Sequence, residues 1–351
     1  MIFRELNAEE FRKLAAKSPY KSFMQTPEIA EIREKKGWVS YYFGVEKDNK
    51  IIAATMLVAK PSFLGKSTFY APGGPLLDLE DKPTLTFFIQ NLVKFIKSHN
   101  GYVLRIEPYY ELIERDRDGE LVEGGFNREK AVKNLTSLGF VKTTAENPVY
   151  GFVLDLKGRE EKELFSSFKQ NTRNLISRTA RQGVKVRELS REELPIFKKI
   201  TESTSERRHF TDKSLDYYET MYDLFAPKGE VKFIVAEHDG TPLSAAMFML
   251  YGDEVIYLFS GSDEKYMKEF NAQYAIQWYM IKYALSHGFK RYNFYGIQGL
   301  PDPNSKGYGI YKFKKGFGGH VTELIGAYEL PVNQLFYRLH HILSKIKNRS
   351  N

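Results

Sequence analysis

The chain has 351 residues, of which 42% are hydrophobic and 15% aromatic, which is enough for two domains with separate cores. It contains no cysteine, and this excludes disulfides, a thiol nucleophile and cysteine-ligated zinc. Lysine and arginine (52) exceed aspartate and glutamate (44), and the net charge of +8 favours an anionic partner such as nucleic acid, a nucleotide or an acidic lipid surface.

The first half of the chain predicts two helices, then strands and a third helix. Thr26 and Pro27 are typical of an N-cap and a first helical residue, so they mark the start of the second helix. The predicted elements are helices at 9–16 and 27–35, strands at 38–45 and 51–59 with a turn at 47–50, a strand at 67–71, a helix at 84–98 and a strand at 102–106. Glu107 follows the last strand, just before Pro108.

The second half repeats this order of elements. Strands at 231–237 and 243–250 join through a turn at 238–241, and a strand at 255–260, a helix at 272–286 and a strand at 292–295 follow. Val45 aligns with Ala236 and Ser98 with Ser286, so both ends of the pattern recur at nearly the same spacing. We therefore predict two related α/β domains, 1–148 and 149–327, each a mixed sheet flanked by helices, with a C-terminal helix, 328–351, that packs on the first domain.

The order helix, hairpin, strand, helix, strand resembles the GCN5-related acyltransferase fold, so we expect two such domains in tandem. Ordinary members bind acetyl-CoA through a Gln/Arg-x-x-Gly-x-Gly/Ala loop that opens a helix, where backbone N–H groups hold the pyrophosphate. Neither half contains that loop. The resemblance therefore implies a different acyl donor or a lost activity.

The segment between the halves is the most basic part of the chain. Residues 165–191 carry a single glutamate and seven cations: Lys169, Arg173, Arg178, Arg181, Lys185, Arg187 and Arg191. A helix is predicted at 171–182, with Gly183 after its end. Two interpretations stay open for it, a grip on phosphates and a solvated helix face, although a merely solvated helix would be expected to interleave glutamate.

A second basic segment closes the loop-rich stretch 292–319. If its last part is extended, Tyr311, Phe313 and Lys315 lie on one side, and Lys312 and Lys314 on the other. Aromatics beside lysines at the mouth of a flexible loop suit an anionic, extended substrate. An edge strand with solvated lysines is the alternative.

Neither end of the chain predicts membrane insertion. The N-terminal sequence is charged throughout, unlike a signal peptide, and no uncharged apolar run has spanning length. An amphipathic helix is predicted at 335–346 with basic residues at its end; docking on a domain is the favoured interpretation and contact with an anionic membrane the alternative. We therefore expect a cytoplasmic protein, with peripheral contact at the inner membrane face as the open question.

Several catalytic motifs are missing from the sequence. The seven histidines form no HExxH-type pair, and there is no Walker loop, GxSxG elbow or kinase motif set. We therefore predict neither a metal site nor a cofactor.

Short motifs follow one another in order along nearly the whole chain. They are Ser18-Pro19-Tyr20 with Gln25 and Ala30, Tyr102-Val103-Leu104-Arg105, Lys169-Gln170-Asn171-Thr172-Arg173-Asn174, Arg181-Gln182-Gly183-Val184, Thr204-x-x-Arg207-x-x-Phe210, Tyr217-Tyr218, Tyr257-x-x-x-Gly261-Ser262 and Tyr311-x-Phe313-Lys314-Lys315-Gly316-Phe317-Gly318-Gly319. Together they resemble the Fem family of peptidoglycan interpeptide-bridge aminoacyltransferases. The resemblance implies transfer of an amino acid from aminoacyl-tRNA to an amine, usually the stem-peptide lysine of a UDP-linked or lipid-linked precursor.

The resemblance also implies roles for individual residues. Lys314 matches a lysine that stabilises the reacting ester or holds the tRNA end. The implied substrate-binding residues are Arg33, Lys213 and Tyr217 at the diphosphate and uridine, Tyr102 and Glu107 at the acceptor cleft, and Arg207 and Tyr257 within matching motifs. The residues assigned to tRNA are Lys169, Arg173, Arg178, Arg181, Lys312 and Lys315.

Two departures from the family pattern affect the substrate assignment. Arg33 and Lys213 have their basic types exchanged, which keeps the charge but need not keep the geometry. Many members insert a long antiparallel helical arm in the second domain, whereas here the turn at 238–241 closes the corresponding strands directly. Arm-mediated tRNA contacts are therefore in doubt, and the form of the precursor stays open.

The implied chemistry needs no covalent intermediate, because the aminoacyl ester is already activated. Attack by an amine requires a deprotonated nucleophile, alignment, and charge for the developing oxyanion. In this hypothesis Lys314 supplies the charge and Glu107 positions or deprotonates the amine. The alternatives are tRNA-dependent aminoacylation of a small peptide metabolite and a non-catalytic twin-domain protein that binds nucleic acid through 169–191.

Overall fold

A computed structural model describes residues 1–62 and 64–349, with only the backbone of residues 344–349. Its contacts divide the chain into two compact units. Unit 1 comprises Met1–Glu114, Gly124–Val149 and Glu323–Asn351, and unit 2 comprises Arg115–Glu123 and Tyr150–Thr322. The main change of unit, at 149–150, lies beside the predicted boundary, and a short segment of the first half, Arg115–Glu123, belongs to unit 2.

The first half of the chain contains the hairpin, the third strand and the helix that the sequence predicts. In chain order the elements are β1 (Ile2–Glu5), α1 (Ala8–Lys17), α2 (Pro27–Glu34), β2 (Val39–Lys47), β3 (Lys50–Pro61), β4 (Ser67–Gly73), α3 (Lys82–Ser98), β5 (Gly101–Pro108), β6 (Glu111–Glu114), α4 (Glu129–Ser137) and β7 (Val141–Thr143). The Thr26 hydroxyl accepts the Ile29 N–H, which confirms Thr26 as the N-cap of α2.

The rest of the chain forms the second set of elements. They are β8 (Tyr150–Asp155), α5 (Glu161–Ser167), α6 (Gln170–Arg181), β9 (Lys185–Glu188), a 3-10 turn (Arg191–Glu193), α7 (Leu194–Arg208), α8 (Leu215–Phe225), a 3-10 turn (Ala226–Lys228), β10 (Val231–His238), β11 (Thr241–Tyr251), β12 (Glu254–Ser262), α9 (Glu264–Phe270), α10 (Ala272–Ser286), β13 (Arg291–Ile297), α11 (Tyr308–Lys315), β14 (His320–Leu324), β15 (Ala327–Pro331) and α12 (Gln334–Arg349). Within the described residues, none of these helices combines the length and apolar character needed to cross a membrane.

The sheet of unit 1 has the strand order β1-β2-β3-β4-β5-β15-β7. Its strands β4 and β5 run parallel, and α3 connects them. Leu85, Phe88, Leu92 and Ile96 recur at helical spacing on α3 and are buried in the core against the sheet. The C-terminal part of the chain returns to this unit, because β15 pairs antiparallel with β5.

The sheet of unit 2 contains the order β14-β8-β13-β12-β11-β10-β9. Here β12 and β13 run parallel, with α9 and α10 between them in the chain. Ile276, Met280 and Ala284 of α10 are fully buried against this sheet. In each unit, therefore, a helix that connects two parallel strands is buried in the core of that unit.

The backbone supports the internal duplication that the sequence predicts. The ladder of β2 and β3 shifts register between Val45 and Glu46, and that of β10 and β11 shifts at the aligned position, between Ala236 and Glu237. Both hairpins turn through two residues of positive φ, at 48–49 (51° and 60°) and at 239–240 (46° and 74°). The second hairpin closes directly, so no helical arm is inserted there.

Three predicted elements are different in the structure. The alternation of Lys312 and Lys314 with Tyr311, Phe313 and Lys315 holds only if the segment 311–319 is extended. Residues Tyr308–Lys315 form helix α11 instead, so that alternation is wrong. The sequence also predicts a helix at roughly 191–201, and in the structure this helix, α7, begins at Leu194 and continues to Arg208. Residues 328–331 are part of strand β15, where Tyr328 and Leu330 are buried, and the C-terminal helix begins only at Gln334.

Candidate active site and substrate-binding residues

The parallel strands of unit 2 separate before they end. The ladder joins Glu254–Ile256 to Arg291–Asn293, yet β12 continues to Ser262 and β13 to Ile297. Each strand carries a bulge at this point: Leu258 has no partner in the register with β11, and Phe294 and Tyr295 interrupt the register with β8. The carboxyl ends of two adjacent parallel strands are thus not hydrogen-bonded to each other, and open α/β sheets bind ligands at such ends.

The equivalent strands of unit 1 stay paired. The ladder of β4 and β5 runs from Ser67, opposite Gly101, to Gly73, opposite Pro108. The Glu107 N–H then donates to the Gly74 carbonyl at 3.2 Å and extends the contact by one more bond. The separation of the parallel pair is therefore a feature of unit 2 and not of the fold as such.

Lys314 lies on α11 beside the end of β13, with 5% of its surface exposed. Its Nζ donates to the carbonyl oxygens of Tyr295 at 3.2 Å and Gly296 at 2.5 Å. Local sequence around the bulge in β13 sets up this arrangement. Tyr295 has a φ of 61°, and its N–H donates to the Asn293 side chain at 2.7 Å. An ammonium has three donors, and among the described residues the third has no recorded acceptor.

Burial gives Lys314 a charge that changes near neutral pH. Desolvation lowers the pKa of this amine to about 7, and no carboxylate within the described part of the chain forms an ion pair with it. The two carbonyl oxygens accept hydrogen bonds, which the ammonium provides. An ammonium with one N–H to spare, beside strands that have separated, is suited to stabilise an oxyanion.

The other lysines of α11 have different surroundings. Lys315 forms an ion pair with Asp118, and Tyr311 donates from its hydroxyl to the Arg117 carbonyl at 2.9 Å. These contacts tie α11 to the segment Arg115–Glu123 of the same unit. Lys312 is exposed and lies over the Tyr308 ring at 5.9 Å. Of the two lysines assigned to tRNA in this helix, Lys312 is therefore the one that is open to a ligand.

The cations of the basic segment 165–191, which contains helix α6, also divide into engaged and open ones. Arg173 caps α5, because its Nη1 donates to the carbonyls of Ser166 at 2.7 Å and Phe168 at 2.5 Å. Arg187 pairs with Glu193 and Glu237, and Arg191 pairs with Asp223 and Glu219. The side chains without a recorded partner among the described residues are Lys169, Arg178, Arg181 and Lys185, all of them exposed. The cations that remain for phosphates are thus fewer than the sequence indicates.

The guanidinium of Arg207 has a donor nitrogen for which the described residues provide no acceptor. It lies near the C-terminal end of α7, and its buried Nη1 has no hydrogen-bond partner within the described part of the chain. One turn earlier, Thr204 accepts the Ser262 N–H at 2.9 Å and donates to the Ser262 carbonyl at 3.2 Å. The end of α7 is thereby fixed to the end of β12, and Arg207 lies on the same side of the helix as Thr204.

Lys213 and Tyr217 lie together at the start of α8. The Lys213 ammonium is 5.6 Å from the centre of the Tyr217 ring, which packs edge-on against Phe259 of β12 at 6.2 Å. Tyr257, also on β12, donates from its hydroxyl to Ser260 at 2.5 Å, and burial raises its pKa to about 12. These three assigned residues are therefore arranged around one strand of unit 2.

Asp212 holds the loop that carries Lys213. Its carboxylate accepts from Lys198 at 2.8 Å, from the Thr201 hydroxyl at 2.8 Å and from the Tyr218 hydroxyl at 2.6 Å. Desolvation raises the pKa of Asp212, but these three donors outweigh it, and the net shift is downward. Asp212 was not predicted from the sequence. Its position directly before the assigned Lys213 is the signal that could have identified it.

In unit 1, Arg33 is held by aromatic rings. Its guanidinium carbon lies 5.4 Å from the Trp38 ring and 5.0 Å from the Tyr70 ring, and Arg105 lies over the same Tyr70 ring at 5.6 Å. Glu146 is 4.0 Å from Arg33. Arg105 is engaged within the unit, because it lies 3.4 Å from Glu329 and 3.9 Å from Glu107 and donates to the Thr144 carbonyl at 2.5 Å. Arg33, whose contact with Glu146 is longer, is therefore the guanidinium of this cluster that is suited to a phosphate.

Glu107 has its oxygens occupied. Tyr70 donates to Oε2 at 2.7 Å, while the Asn147 N–H and side-chain amide donate to Oε1 at 2.7 and 3.1 Å. The Glu146 N–H adds a further contact at 3.3 Å. With 6% exposure, this carboxylate orders the loop after β7 and supports the Tyr70 ring. Its geometry favours positioning over proton abstraction.

Tyr102 lies in the interior of unit 1. It is 2% exposed, its hydroxyl accepts from Thr68 at 3.1 Å, and its ring packs on His340 at 5.6 Å. Such a side chain offers a substrate little surface. Arg33 and Glu107 share contacts to Tyr70, whereas no side-chain contact joins Tyr102 to either of them in the described structure.

Comparison with known proteins places these features in a family context. A model of the FemAB family matches residues 6–241 and 232–345. The "Aminoacyltransferase FemA" of Staphylococcus aureus (strain bovine RF122 / ET3-1) is 29% identical over 420 aligned residues, which cover 99% of this chain and 100% of the relative. Because the alignment is longer than the 351 residues of this chain, the relative carries segments that are missing here.

Solved structures are similar to the whole chain as well. The crystal structure of FemX matches with a TM-score of 0.83 at 21% identity, covering 97% of this chain and 99% of that one. A tandem GNAT protein from the clavulanic acid biosynthesis pathway matches with a TM-score of 0.56 at 10% identity, covering 95% and 98%. These likenesses confirm the predicted fold class, two tandem acyltransferase-like units without a long inserted arm.

Proposed function

This chain belongs to the FemAB family and is an aminoacyltransferase, and we propose that it moves an amino acid from aminoacyl-tRNA to an amine of a peptidoglycan precursor, building the interpeptide bridge. The observation that carries the proposal is the match of the FemAB model across both units. It is supported by the relative named an aminoacyltransferase, which aligns over its whole length. The stem-peptide lysine of UDP-MurNAc-pentapeptide or of its lipid-linked form is the acceptor we propose.

The proposed reaction is the aminolysis of an ester. The acceptor amine attacks the ester carbonyl carbon, a C–N bond forms, and negative charge develops on the carbonyl oxygen. The C–O bond to the tRNA ribose then breaks, and the ribose hydroxyl leaves with a proton that comes from the attacking amine. Lys314 stabilises the oxyanion through its third N–H, the one that neither Tyr295 nor Gly296 accepts.

The donor is held by exposed cations in this proposal. Lys169 directly before α6, Arg178 and Arg181 on α6, and Lys312 on α11 are exposed and suited to phosphate contacts. Arg173 and Lys315 were assigned to the same role, but each has a contact within unit 2, to the end of α5 and to Asp118. We therefore propose that these two act on tRNA indirectly, by fixing the helices that carry the open cations.

The acceptor roles in this proposal are stated for each unit by itself. In unit 1, Arg33 on the Tyr70 ring supplies charge for a diphosphate. Arg207, Lys213 and Tyr217, with Tyr257, supply cationic and aromatic contacts from unit 2, and Arg207 has an unused donor for them. Glu107 and Tyr102 remain assigned to the acceptor side as residues that order it. Peripheral contact with a membrane is part of the proposal, since one form of the acceptor is linked to lipid.

The test is to incubate the full chain with a mixture of charged tRNAs and with candidate acceptors, and to identify products by mass. We expect one amino acid to be added to a precursor amine, and we expect RNase treatment of the donor to abolish the product. Acetyl-CoA should neither replace the charged tRNA nor compete with it. Transfer from a CoA thioester that survives RNase would refute the donor assignment.

The acceptor needs its own comparison. UDP-MurNAc-pentapeptide, the lipid-linked precursor in detergent, and short peptides with a free lysine amine are supplied in parallel with the same charged tRNA. Product on the precursors alone supports the proposal. Product on small peptides alone would replace it with aminoacylation of a peptide metabolite.

A further inference from the structure

The C-terminal helix α12 turns its apolar side away from unit 1. Leu335, Leu339, Ile342 and Leu343 follow the spacing i, i+4, i+7 and i+8, so they share one side of the helix. Their exposed fractions are 65%, 38%, 55% and 47%. This is the reverse of a helix that docks by its apolar face, the interpretation that the sequence favours.

The polar and aromatic side of α12 makes the contacts with unit 1 instead. Tyr337 donates to Glu329 of β15 at 3.0 Å, and His341 lies 3.4 Å from the same carboxylate. His340 packs on the Tyr102 ring at 5.6 Å. Because these side chains lie opposite the leucines on the helix, the outward position of the apolar side is fixed by specific contacts.

A second exposed apolar group lies beside the helix. The loop between β3 and β4 is closed by the bond from the Ser62 N–H to the Lys66 carbonyl at 2.7 Å, and Leu64 near its tip is 70% exposed. Lys66 contacts the Phe336 ring at 5.1 Å, which places the loop next to the first turn of α12. We call the four apolar residues of α12 together with Leu64 the α12–loop face.

The two segments that carry this face contain cations but no carboxylates. No aspartate or glutamate occurs at 49–77 or at 330–351, whereas Lys60 and Lys66 flank the loop, Arg338 lies on α12, and the sequence continues with Lys345, Lys347 and Arg349. Apolar side chains with a cationic surround match the boundary of an anionic bilayer, where acyl chains accept the leucines and headgroups attract the cations. A twofold pair of this chain would instead bring the same positive segments against each other.

We propose that the α12–loop face seats the protein on a bilayer that contains anionic lipid. The inference deepens the proposed function, because it gives the membrane contact a defined surface and a lipid chemistry. It does not depend on the acyl transfer itself. Binding to vesicles without precursor tests the surface, while turnover on UDP-MurNAc-pentapeptide in solution tests the transferase, so the failure of one is distinguishable from the failure of the other.

The experiment is co-sedimentation of the full chain with vesicles of phosphatidylcholine, alone or mixed with phosphatidylglycerol. The test variant is L335Q/L339Q/I342Q/L343Q, because glutamine keeps helix propensity and none of these side chains packs in the core. The matched control is I2Q/V141Q, which removes two side chains of unit 1 that are 63% and 54% exposed but lie on β1 and β7. Circular dichroism and thermal unfolding check that each variant is folded.

We expect the wild type and the control to bind mixed vesicles equally, and the helix variant to bind at least tenfold more weakly. K60Q/K66Q should weaken binding to mixed vesicles by about fivefold per charge, since each cation near such a surface contributes about 1 kcal/mol, and should not affect phosphatidylcholine vesicles. Equal binding by the helix variant and the wild type would overturn the proposal. So would a lipid-independent dimer, seen by analytical ultracentrifugation, that the helix variant abolishes while no form binds vesicles.

Discussion

We predict that replacing Lys314 with methionine removes a pH dependence from the stability of the protein. Burial lowers the pKa of Lys314 from 10.5 to about 7. Between these values the unfolded chain holds a proton that the folded chain does not, so the free energy of unfolding of the wild type rises with pH across this window. Below about pH 7 both states are protonated and the dependence vanishes.

The magnitude follows from the size of the shift. Each pH unit within the window changes the free energy of unfolding by about 1.4 kcal/mol, so the wild type should gain about 2.7 kcal/mol relative to Lys314→Met between about pH 7 and pH 9. The variant also leaves the Tyr295 and Gly296 carbonyls without their donor, at a cost of about 1–3 kcal/mol each. That cost is independent of pH, so it lowers the free energy of unfolding of the variant by the same amount at every pH and does not change its pH dependence.

The assay is urea unfolding of the wild type, Lys314→Met and Lys312→Met at a series of pH values. Lys312 is the matched control, because it lies on the same helix but is exposed. The difference between wild type and Lys314→Met should rise with pH, while the curves of wild type and Lys312→Met should run parallel. Parallel curves for Lys314→Met as well would refute the argument that the buried amine loses its proton near neutrality.

The same titration should appear in the activity. If the ammonium stabilises the oxyanion, the ratio of kcat between the wild type and Lys314→Met falls as pH rises through about 7, because the charged form of Lys314 is lost. The titration of the acceptor amine is common to both proteins and cancels in the ratio. Below pH 7 Lys314→Met should lower kcat by about 10²–10³, the size of the loss of one oxyanion donor. A ratio that rises through the same pH range would identify the neutral amine as the active form, and Lys314 would then be a base.

Three further experiments separate the remaining roles. Arg178→Gln with Arg181→Gln should weaken tRNA binding and reduce the slope of log affinity against log salt concentration by roughly 0.7–0.9 for each phosphate that is no longer bound. Arg187→Gln should leave this slope unchanged, because Arg187 is ion-paired. Equal slopes for the wild type, the double variant and Arg187→Gln would favour the solvated-face interpretation of α6. Glu107→Gln should lower the free energy of unfolding by about 1.5–3 kcal/mol, because the hydrogen bonds to the charged carboxylate are weakened. It should lower kcat only modestly. A loss of about 10²–10⁴ in kcat at unchanged stability would instead identify Glu107 as a general base. Asp212→Asn should raise KM for the precursor more than it lowers kcat, because it loosens the loop before Lys213, and an equal fall of kcat and kcat/KM would contradict that.

The order of elements could be predicted because each depends on local signals. Hairpin turns, N-caps and the spacing of buried residues on α3 and α10 are all readable within a few neighbouring positions. The prediction for α11 was wrong for the same reason. Alternating aromatics and lysines favour a strand, but Tyr311 and Lys314 are three positions apart and become buried together on a helix, and that choice depends on what lies beneath them.

Contacts between distant residues could not be predicted from the sequence. Lys315 and Asp118 are separated by 197 positions, and the segment that carries Asp118 precedes the rest of unit 2 in the chain. The sequence shows seven cations near α6 but does not show that Arg187 and Arg191 are paired with carboxylates on other elements. Counting charges in the sequence therefore overestimates the number of cations available to a ligand whenever their carboxylate partners come from elsewhere in the fold.

The duplication offers a reason for the proposed placement of the chemistry in unit 2. When Ser98 is aligned with Ser286, Glu107 aligns with Tyr295, so both lie at the end of the second parallel strand of their unit. In unit 1 the strands stay paired, and the carboxylate at this position is occupied by Tyr70 and Asn147. In unit 2 the strands separate, and the backbone at this position turns its carbonyl toward a buried ammonium that keeps one donor to spare among the described residues. One copy of the fold satisfies the polar groups at its strand end internally, and the other keeps a donor there, which our proposal assigns to the substrate.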